Sequence, residues 1–525
     1  MILTVKSPHE IRTIALTPGQ TLFEALAGAD LHGLHAPCGG RGHCLHCTCL
    51  VTGPVRDAQG GVVTHHTPAP VLACRTILAG DCTLYWQPEE EVSVWQDLLP
   101  EAVPINRPPR PDWTQPGRLG LAVDIGTTTL AAYLYDLETG CFLCRTGEAN
   151  AQRLYGGDVI ARMQWAMERP SGQADLTCAL QTQLLSIAKR LCVQSGRPFF
   201  HLSDVVLAGN TVMLHMAAGL PTATLAVSPF TPVNLFGQDT PADGLWPDWP
   251  PGCHVYCAPA ISAYIGGDIT AGLLSLRAMT AEKPVLLADI GTNGEMALCH
   301  NGRVYCCAAA AGPAFEGGEI ACGLPGVPGA IDRVWIRDGK IAFTTIAGRP
   351  ARGLCGSGLL DLLAALCRLG IVDETGSFVD DARDPALRET DGHLRYHITD
   401  SLSLSQADIR KLQLAKGAIF AGLVTLLHEA GLEEGQIAAL YLAGGFGNFL
   451  RPDSAAQLGL FPPALRPVVH GVGNTAGKGA QLLLLSDDAR QSVQDLANRC
   501  RLVELSTHPV FHEAFMDGMA FDPCP

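Results

Sequence analysis

The sequence has no apolar run approaching the roughly 20 residues that a membrane-spanning helix needs, so no membrane insertion is expected. It also has no block of lysine and arginine, and its formal net charge is −15. A nucleic-acid partner is therefore not expected, because phosphate binding needs a basic surface. Met1-Ile2-Leu3-Thr4 does not begin a signal peptide. The 20 dispersed cysteines thus predict reduced thiols and a cytoplasmic location rather than a disulfide framework.

Charge is sparse, at 17% of the residues against 47% hydrophobic ones, so disorder is not expected. A chain of 525 residues with this composition predicts three or four domains with large cores. Its 17 histidines show no metal-ligand spacing. A P-loop is missing too, because the segment 473–478 is one residue short between its glycines and Gly479 stands where a hydroxyl residue is needed.

Four cysteines stand out in the N-terminal part of the chain. Cys38-x5-Cys44-x2-Cys47 lies in a glycine-rich loop, and Cys74 follows at a distance. Glycines let backbone N–H groups turn toward inorganic sulfides, and four thiolates complete two tetrahedral irons. The pattern therefore predicts a [2Fe–2S] centre, and its first gap resembles that of the adrenodoxin-like ferredoxins.

Other interpretations of these cysteines are a zinc site or buried structural thiols. Zinc sites usually present two separated cysteine pairs, which does not fit three clustered cysteines and one distant one. Cys49 and Cys82 are rival fourth ligands. Cys49 follows Cys47 closely, so we favour Cys74.

The flanking segments predict a small mixed domain. Residues 2–6 and 11–16 form a hairpin pattern, and Thr21-x-x-Glu24 is a capping box that opens a short helix. The order of hairpin, helix and cysteine loop resembles the β-grasp ferredoxin fold. We therefore predict a [2Fe–2S] ferredoxin-type domain at 1–86.

A proline-rich connector is predicted at 87–117, where prolines favour an extended, semi-rigid chain. Val92, Trp95 and Leu98 interrupt it with apolar residues, so part of it is expected to pack as a helix or as a dimerisation element that would make a homodimer. A loose tether is the alternative. Strand-then-helix patterns follow, and we expect a first lobe with middle domain at 118–282 and a second lobe at 283–525.

One repeat defines these two lobes. Leu121-Ala122-Val123-Asp124-Ile125-Gly126-Thr127-Thr128 recurs as Leu287-Ala288-Asp289-Ile290-Gly291-Thr292-Asn293. Each copy is a buried strand that delivers an aspartate into a Gly-Thr turn, and another strand follows it. The repeat predicts a duplicated α/β fold whose halves face one cleft.

The turns have the chemistry of a nucleotide site. Backbone N–H and hydroxyl groups of such turns bind phosphate, while an aspartate holds Mg²⁺ through water. Asp124 and Asp289 are the predicted Mg²⁺-linked aspartates, and Glu295 is a candidate for positioning the hydrolytic water, in competition with Glu316 and Glu319. The candidate ATP-binding residues are Gly126, Thr127, Thr128, Thr129, Gly291, Thr292, Asn293, Gly294, Gly356, Ser357, Gly444, Gly445 and Phe446. Lys416 is considered for adenine, although a solvated helix face is the simpler expectation.

The order of first phosphate turn, second phosphate turn and Gly444-Gly445 turn resembles the acetate and sugar kinase, heat-shock chaperone and actin superfamily. With the ferredoxin-like front end, the chain resembles the reductive activators of corrinoid proteins over nearly its whole length. Further stretches that match are 155–162, 208–213, 264–268 and 311–318. The resemblance implies ATP-driven transfer of one electron from a [2Fe–2S] centre to a Co(II) corrinoid protein of a methyltransferase system. A low-potential donor upstream would supply that electron to the centre.

Two other functions remain open from the sequence, and the cysteine pattern argues against a third. The first is a redox sensor in which the cluster controls a chaperone-like ATPase, and the second is a small-molecule kinase fused to a ferredoxin. The third is an activator of radical dehydratases, which carries a [4Fe–4S] cluster between subunits and does not fit the cysteine spacing. A kinase phosphorylates a free metabolite, whereas an activator responds to an oxidised corrinoid protein.

Overall fold

The structure is a computed structural model that describes residues 1–7, 11–17, 19–27, 47–56, 60–85, 99, 105–111, 113–115, 117–379, 384–444 and 450–521. Within these ranges the chain forms three six-stranded sheets and two three-stranded sheets. Among the described residues, no helix combines the length and apolarity needed to cross a membrane.

The first sheet belongs to the N-terminal part of the chain and has the order β2-β1-β6-β3-β4, with β5 beside β3. The hairpin is confirmed, since β1 and β2 pair antiparallel, and β1 pairs parallel with β6. Leu3 and Leu84 of the sheet and Leu22 and Leu26 of the helix share its core. The elements are β1 (Ile2–Lys6), β2 (Ile11–Ala15), α1 (Leu22–Ala27), β3 (Thr48–Arg56), β4 (Val62–Leu72), β5 (Ile77–Leu78) and β6 (Cys82–Tyr85).

The capping box at the start of α1 is also confirmed. The backbone N–H of Glu24 donates to Thr21 Oγ1 at 3.2 Å, and the backbone N–H of Thr21 donates to Glu24 Oε2 at 2.9 Å. The two bonds satisfy N–H groups that the first helical turn leaves without an intrahelical partner. They fix where α1 begins.

The second sheet has the order β11-β12-β10-β7-β8-β9. Its central strands are buried along nearly their whole length, as expected of a sheet covered on both faces. The elements are β7 (Leu119–Ile125), β8 (Thr129–Asp136), β9 (Phe142–Ala149), α2 (Val159–Glu168), α3 (Gly172–Gln194), β10 (Leu202–Gly209), α4 (Thr211–Ala217), α5 (Ala223–Ala226), β11 (Asp239–Pro241), β12 (His254–Cys257) and α6 (Gly267–Ser275).

The third sheet has the order β23-β22-β13-β14-β15-β24, and the small sheets β17-β16-β18 and β19-β20-β21 are inserted within its half of the chain. The elements are β13 (Val285–Ile290), β14 (Gly294–His300), β15 (Arg303–Ala309), β16 (Ala330–Arg337), β17 (Lys340–Thr345), β18 (Gly353–Leu354), α7 (Gly356–Arg368), β19 (Leu387–Thr390), β20 (His393–His397), β21 (Ser403–Ser405), α8 (Gln406–Ala430), β22 (Ala439–Ala443), α9 (Pro452–Gln457), β23 (Val469–Gly473), α10 (Thr475–Leu485), α11 (Asp487–Asn498), β24 (Cys500–Leu502) and α12 (Pro509–Asp517).

The predicted duplication is present in the pairing of the two larger sheets. Strand β7 pairs antiparallel with β8 and parallel with β10, and β10 pairs parallel with β12. Strand β13 pairs in the same way with β14 and β22, and β22 pairs parallel with β23. Asp124 and Asp289 occupy the second-last positions of β7 and β13. The two aspartates are therefore equivalent by position as well as by motif.

Two helices cross between the halves. Helix α10 follows β23, yet Leu483 and Leu484 share a core with Ala122 and Tyr133 of the second sheet. Helix α6 precedes residue 282, yet it packs in the core of the third sheet. The helices touch closely, because a Cβ on Gly479 would lie 2.1 Å from Ala271 O. The predicted boundary at 282 and 283 thus separates the sheets but not the helices that cover them.

The connector is anchored where the structure describes it. Arg107 and Arg110 form ion pairs with the buried Asp204 at 2.8 and 3.0 Å. Burial alone would raise the pKa of Asp204, but Arg110 and Arg107 hold it below its usual value. The backbone N–H of Asn106 donates to Leu485 O at 2.9 Å, at the end of α10. The described residues 105–111 are therefore docked on both halves, so the loose tether is wrong for this stretch.

Candidate functional site

The structure brings two of the four predicted cluster ligands together. Cys47 Sγ and Cys74 Sγ lie 3.2 Å apart. Cys47 precedes β3 and Cys74 follows β4, and the paired strands bring both to one end of the sheet. The backbone N–H of Ala73 donates to Cys47 O at 3.0 Å and holds the two turns together. Cys38 and Cys44 lie outside the described residues.

The separation of the two sulfurs fits a shared metal ion. Thiolates on one tetrahedral metal with bonds of about 2.3 Å lie about 3.8 Å apart, so only a small adjustment from 3.2 Å is needed. An iron bound here would have Cys47 and Cys74 as two of its four ligands. The donor set therefore fits a thiolate-ligated cluster.

The rival ligands point elsewhere. Cys49 Sγ contacts Val71 O at 3.8 Å. Burial, and to a smaller extent the charge of the nearby Cys47, raises the pKa of Cys49 to about 12. Cys82 Sγ contacts Pro54 O at 3.3 Å, and burial followed by the charge of Asp81 raises its pKa to about 11. These contacts support Cys74 as the fourth ligand.

The first predicted phosphate turn joins β7 to β8 and is held by three side chains. Asn150 Nδ2 donates to Gly126 O at 2.9 Å, and the fully buried Arg162 donates from its guanidinium to Thr127 O at 2.5 Å. Asn210 Nδ2 donates to Thr127 Oγ1 at 3.2 Å. These three side chains thus hold the turn, and Asn210 borders the cleft together with the turn itself.

The second predicted phosphate turn joins β13 to β14. Gly291 N–H donates to Asn293 O at 3.0 Å and closes the turn. Asp289 is opposite Glu295 on the neighbouring strand. Gly444, with φ of +90°, approaches from the end of β22, and a Cβ there would lie 2.7 Å from Asp289 Oδ1. A glycine is therefore required at this position by both conformation and space.

One carboxylate joins the two turns. Glu316 ends a short 3-10 helix, Pro313–Glu316. Its Oε2 accepts a hydrogen bond from Thr292 Oγ1 at 2.6 Å, and its Oε1 accepts one from Thr128 Oγ1 at 3.5 Å. Burial raises the pKa of Glu316, and the two threonine bonds act in the opposite direction. Two of the hydroxyls predicted to bind phosphate, those of Thr128 and Thr292, thus donate to Glu316 in this structure.

Four more carboxylates crowd the cleft. Burial, followed by repulsion from Asp268 and Asp124, raises the pKa of Asp289 to about 8. Burial raises the pKa of Asp124 to about 7, although a bond from Asn474 lowers it in part. Burial raises the pKa of Asp268 to about 6, and that of Glu295 lies well above its usual value for the same reason. A divalent cation would relieve this repulsion, and oxygen ligands suit Mg²⁺.

Most of the predicted nucleotide-site residues line this one cleft. Its walls come from both halves of the chain and consist of Asp124, Gly126, Thr127, Thr128, Thr129, Asn210, Asp268, Asp289, Gly291, Thr292, Asn293, Glu295, Glu316, Gly444, Asn474 and Ala476. Gly445 and Phe446 lie outside the described residues. Of the three competing glutamates, Glu295 and Glu316 face the cleft, whereas Glu319 is exposed and is not among the lining residues.

Three predicted glycine or serine positions have other surroundings. Gly356 and Ser357 are not among the residues that line the cleft; Ser357 is buried, and its hydroxyl donates to Asp332 O at 3.0 Å. Gly294 is a packing glycine, because a Cβ there would lie 2.0 Å from Ile419 Cδ1. Gly356, Ser357 and Gly294 therefore stay predictions for the nucleotide site.

Lys416 matches neither expectation for it. It is 1% exposed, and its Nζ donates to Gly518 O and Ala520 O, both at 2.6 Å. These bonds tie α8 to the chain that follows α12. A solvated helix face is wrong for this residue, and its ammonium group has structural partners rather than an adenine.

Sequence reasoning missed roles for Asp268, Asn210 and Asn474. Asp268 lies in the first turn of α6, and Asn210 and Asn474 are the N-caps of α4 and α10. Asn210 and Asn474 come directly after β10 and β23, so extending the repeat past its first hairpin would have found them. Asp268 is separated from β12 by residues 258–267, so the repeat does not point to it. Asn474 lies in the segment whose glycine spacing does not fit a P-loop, and that pattern does not indicate its role as a helix cap.

Comparison with known proteins identifies the family. The family profile described as the RACo middle region matches residues 119–280, and the one described as the C-terminal domain of RACo, the ASKHA domain, matches residues 283–523. The chain is thus a mixed α/β protein of several domains whose C-terminal domain is of ASKHA type.

Two relatives and one solved structure agree with these profiles. The corrinoid activation enzyme RamQ of Eubacterium limosum is 33% identical over 422 residues, 77% of this chain and 70% of RamQ. The [Co(II) methylated amine-specific corrinoid protein] reductase of Methanosarcina barkeri is 25% identical over 435 residues, 77% of each chain. A solved reductive activator for a corrinoid, iron–sulfur protein superposes with a TM-score of 0.70 at 29% identity, covering 99% of this chain and 98% of that one. This chain belongs to the family of reductive activators of corrinoid proteins.

Proposed function

We propose that this protein is an ATP-dependent reductive activator that returns an inactive Co(II) corrinoid protein to Co(I), the methyl acceptor of a methyltransferase system. The observation that carries the proposal is the likeness to a solved reductive activator over 99% of the chain, which includes the cysteine-bearing N-terminal part. The reaction moves one electron: Co(II) gains it, and the protein's redox centre loses it.

The redox centre in this proposal is a [2Fe–2S] cluster held by Cys38, Cys44, Cys47 and Cys74. Such a centre supplies one electron at a time. The 3.2 Å contact between Cys47 and Cys74 supports their assignment to one iron, which leaves Cys38 and Cys44 for the other. The mixed sheet with parallel β1 and β6 supports a β-grasp, ferredoxin-type domain at 1–86.

The energy source in this proposal is Mg-ATP in the cleft between the two larger sheets. Thr127, Thr128, Thr292 and Asn293 bind phosphate, and Asp124 and Asp289 hold Mg²⁺ directly or through water. The crowded carboxylates support a cation, and Glu295 and Glu316 are the acidic residues placed to orient water. We keep the connector at 87–117, the first lobe at 118–282 and the second at 283–525 as the proposed division, which the two family matches support.

Energy input is required because Co(I) is a very strong reductant. For a one-electron transfer, each ~59 mV uphill lowers the equilibrium constant about tenfold. A ferredoxin alone would therefore leave cobalt mostly as Co(II). If ATP makes the protein bind the reducible state of the corrinoid more tightly than the other state, the equilibrium shifts toward Co(I). The size of the shift is set by the difference between the two affinities. We also propose a low-potential donor upstream, a cytoplasmic location and a homodimer as the assembly.

The test uses chemically reduced protein, a cognate Co(II) corrinoid protein and a fixed reductant potential. Visible spectroscopy follows cobalt directly. We expect Co(I) to accumulate with Mg-ATP and to stay sparse without it. Equal yields with and without ATP would contradict the proposal. Phosphorylation of a small metabolite with no Co(I) would favour a kinase instead.

A further inference from the structure

Helix α2 connects the first phosphate turn to the cysteine-bearing domain. At its nucleotide end, Arg162 is fully buried and donates to Thr127 O at 2.5 Å. The same guanidinium donates to Gly156 O at 3.0 Å and to Gln152 Oε1 at 3.2 Å. A change in the backbone of the phosphate turn is thus passed to α2 through one buried side chain whose three nitrogens all donate hydrogen bonds.

At its other end, α2 contacts the N-terminal domain. The ring of Trp165, which is 7% exposed, meets the ring of Phe23 edge-on at 6.5 Å between centroids. Arg169 caps the helix, its guanidinium lies 3.7 Å from the centre of the Trp165 ring, and it forms an ion pair with Glu24 at 3.4 Å. The buried cores of the two domains are continuous at this contact.

Phe23 and Glu24 belong to α1, which is bonded to the cysteine turn. Phe23 N–H donates to Ala73 O at 3.0 Å, and Ala73 N–H donates to Cys47 O, also at 3.0 Å. Ala73 is the residue before Cys74. The chain of contacts therefore runs from Thr127 through Arg162, Arg169 and Glu24 to the two cysteines.

We propose that α2 couples ATP to the position of the cysteine-bearing domain, with Arg162 as the positioning residue at the nucleotide and Trp165 and Arg169 as the docking residues. This inference rests on the proposed function. A helix of ten residues spans about 15 Å as one rigid body, so a shift at Thr127 is felt at Arg169. ATP that binds the turn better in one position of α2 changes the affinity of α2 for α1.

The test compares Arg169→Ala with Arg190→Ala. Arg190 lies on α3 and pairs with Glu148 of its own half, and its side chain is as exposed as that of Arg169, at 49% against 44%. We expect Arg169→Ala to lower the rate of ATP-dependent Co(I) formation by about threefold to tenfold, the range of a lost exposed ion pair plus a cation–π contact. We expect Arg169→Ala to hydrolyse ATP at the wild-type rate when no corrinoid protein is present. For Arg190→Ala, we expect the wild-type rate both of ATP hydrolysis and of Co(I) formation. Equal Co(I) rates in the two variants would overturn the inference.

A charge exchange separates docking from a loss of folding. Arg169→Glu and Glu24→Arg each place like charges together, and both are expected to slow Co(I) formation. The double variant restores the opposite charges with the partners exchanged, so it should be faster than either single variant. A full return is not expected, because it still lacks the bond from Thr21 N–H to Glu24 and the contact of Arg169 with the Trp165 ring. A double variant no faster than either single one would count against the ion pair as the docking contact.

Hydrogen exchange gives a readout that does not depend on corrinoid chemistry. With Mg²⁺ and a non-hydrolysable ATP analogue, the amides of α1 should change their exchange rate in the wild type, and by less in Arg169→Ala. No change in α1 of the wild type would overturn the coupling. If α1 responds but no Co(I) forms under any condition, the proposed function fails while the coupling stands.

Discussion

Asn474 Nδ2 donates a 2.7 Å hydrogen bond to Asp124 Oδ2 and so joins the start of α10 to the end of β7. The same side chain caps its own helix, because its Oδ1 accepts from Gly477 N–H at 2.6 Å. One residue thus fixes both a helix terminus and the orientation of a carboxylate in the cleft. The two tasks have separate experimental consequences.

Substitutions at Asn474 should separate these tasks. Asn474→Ala removes both bonds and is expected to destabilise the protein by about 1 kcal/mol through the lost cap. Asn474→Ser keeps a capping oxygen but is too short to reach Asp124. We therefore expect near wild-type stability and weaker Mg-ATP use for the serine variant, measured by thermal unfolding and by KM for ATP. Wild-type ATP kinetics in both variants would exclude a role for this bond.

Asp124→Ala and Asp289→Ala should each reduce ATP hydrolysis at least about tenfold, the scale seen when residues around a metal are removed. The visible spectrum of the proposed cluster should not change, since the cysteines lie in another domain. Asp243→Ala, at an exposed position of the first half, is the matched control. Normal hydrolysis in both cleft variants, assayed with a corrinoid protein present, would remove the cleft from the mechanism.

Serine variants of Cys38, Cys44, Cys47 and Cys74 should each lose the colour and iron of the cluster, because serine does not replace a thiolate ligand. Cys49→Ser and Cys82→Ser should keep both, since those thiols contact backbone carbonyls. Iron content and visible absorption measure the outcome. Retention in Cys74→Ser together with loss in Cys49→Ser or Cys82→Ser would show that we chose the wrong fourth ligand.

The raised pKa values of the cleft carboxylates predict a dependence of stability on pH. A carboxyl group whose pKa is higher in the folded than in the unfolded chain stabilises the fold at low pH, and that contribution is lost as pH rises through the folded pKa. For Asp289, with a pKa of about 8, and Asp124, with one of about 7, the loss extends from about pH 4 to pH 8.

The contribution of these two carboxyl groups to the midpoint temperature of thermal unfolding should therefore decrease from pH 6 to pH 8 when Mg²⁺ is absent. Added Mg²⁺ should raise the midpoint temperature, and it should do so most at pH 8. Asp204 does not contribute in this window, because its lowered pKa matters only in acid. The difference between wild type and Asp289→Asn isolates the cleft from other titrating groups. A difference that does not vary with pH, or an effect of Mg²⁺ that is larger at pH 6, would contradict this account.

The repeat explains why so much of the cleft was predictable. Asp124 and Asp289 are each recognised from a contiguous pattern of a buried strand and a Gly-Thr turn, and the strand pairing follows from it. Glu316 and Asp268 lie far along the chain from the turns that they approach. Their place in the cleft depends on the tertiary fold, which no local sequence pattern indicates. The solvated helix face expected for Lys416 was wrong for a related reason, since the surroundings of this side chain depend on residues near 520.

The crossing of α6 and α10 limits how this molecule can be divided. An expressed fragment that stops at 282 would leave the Ala122 and Tyr133 face of its sheet open to water, and a fragment that starts at 283 would lack the helix that covers Leu287 and Ala297. Exposed apolar sheet faces favour aggregation. Each half thus contributes a helix to the core of the other, so the smallest fragment expected to remain monodisperse must contain both halves.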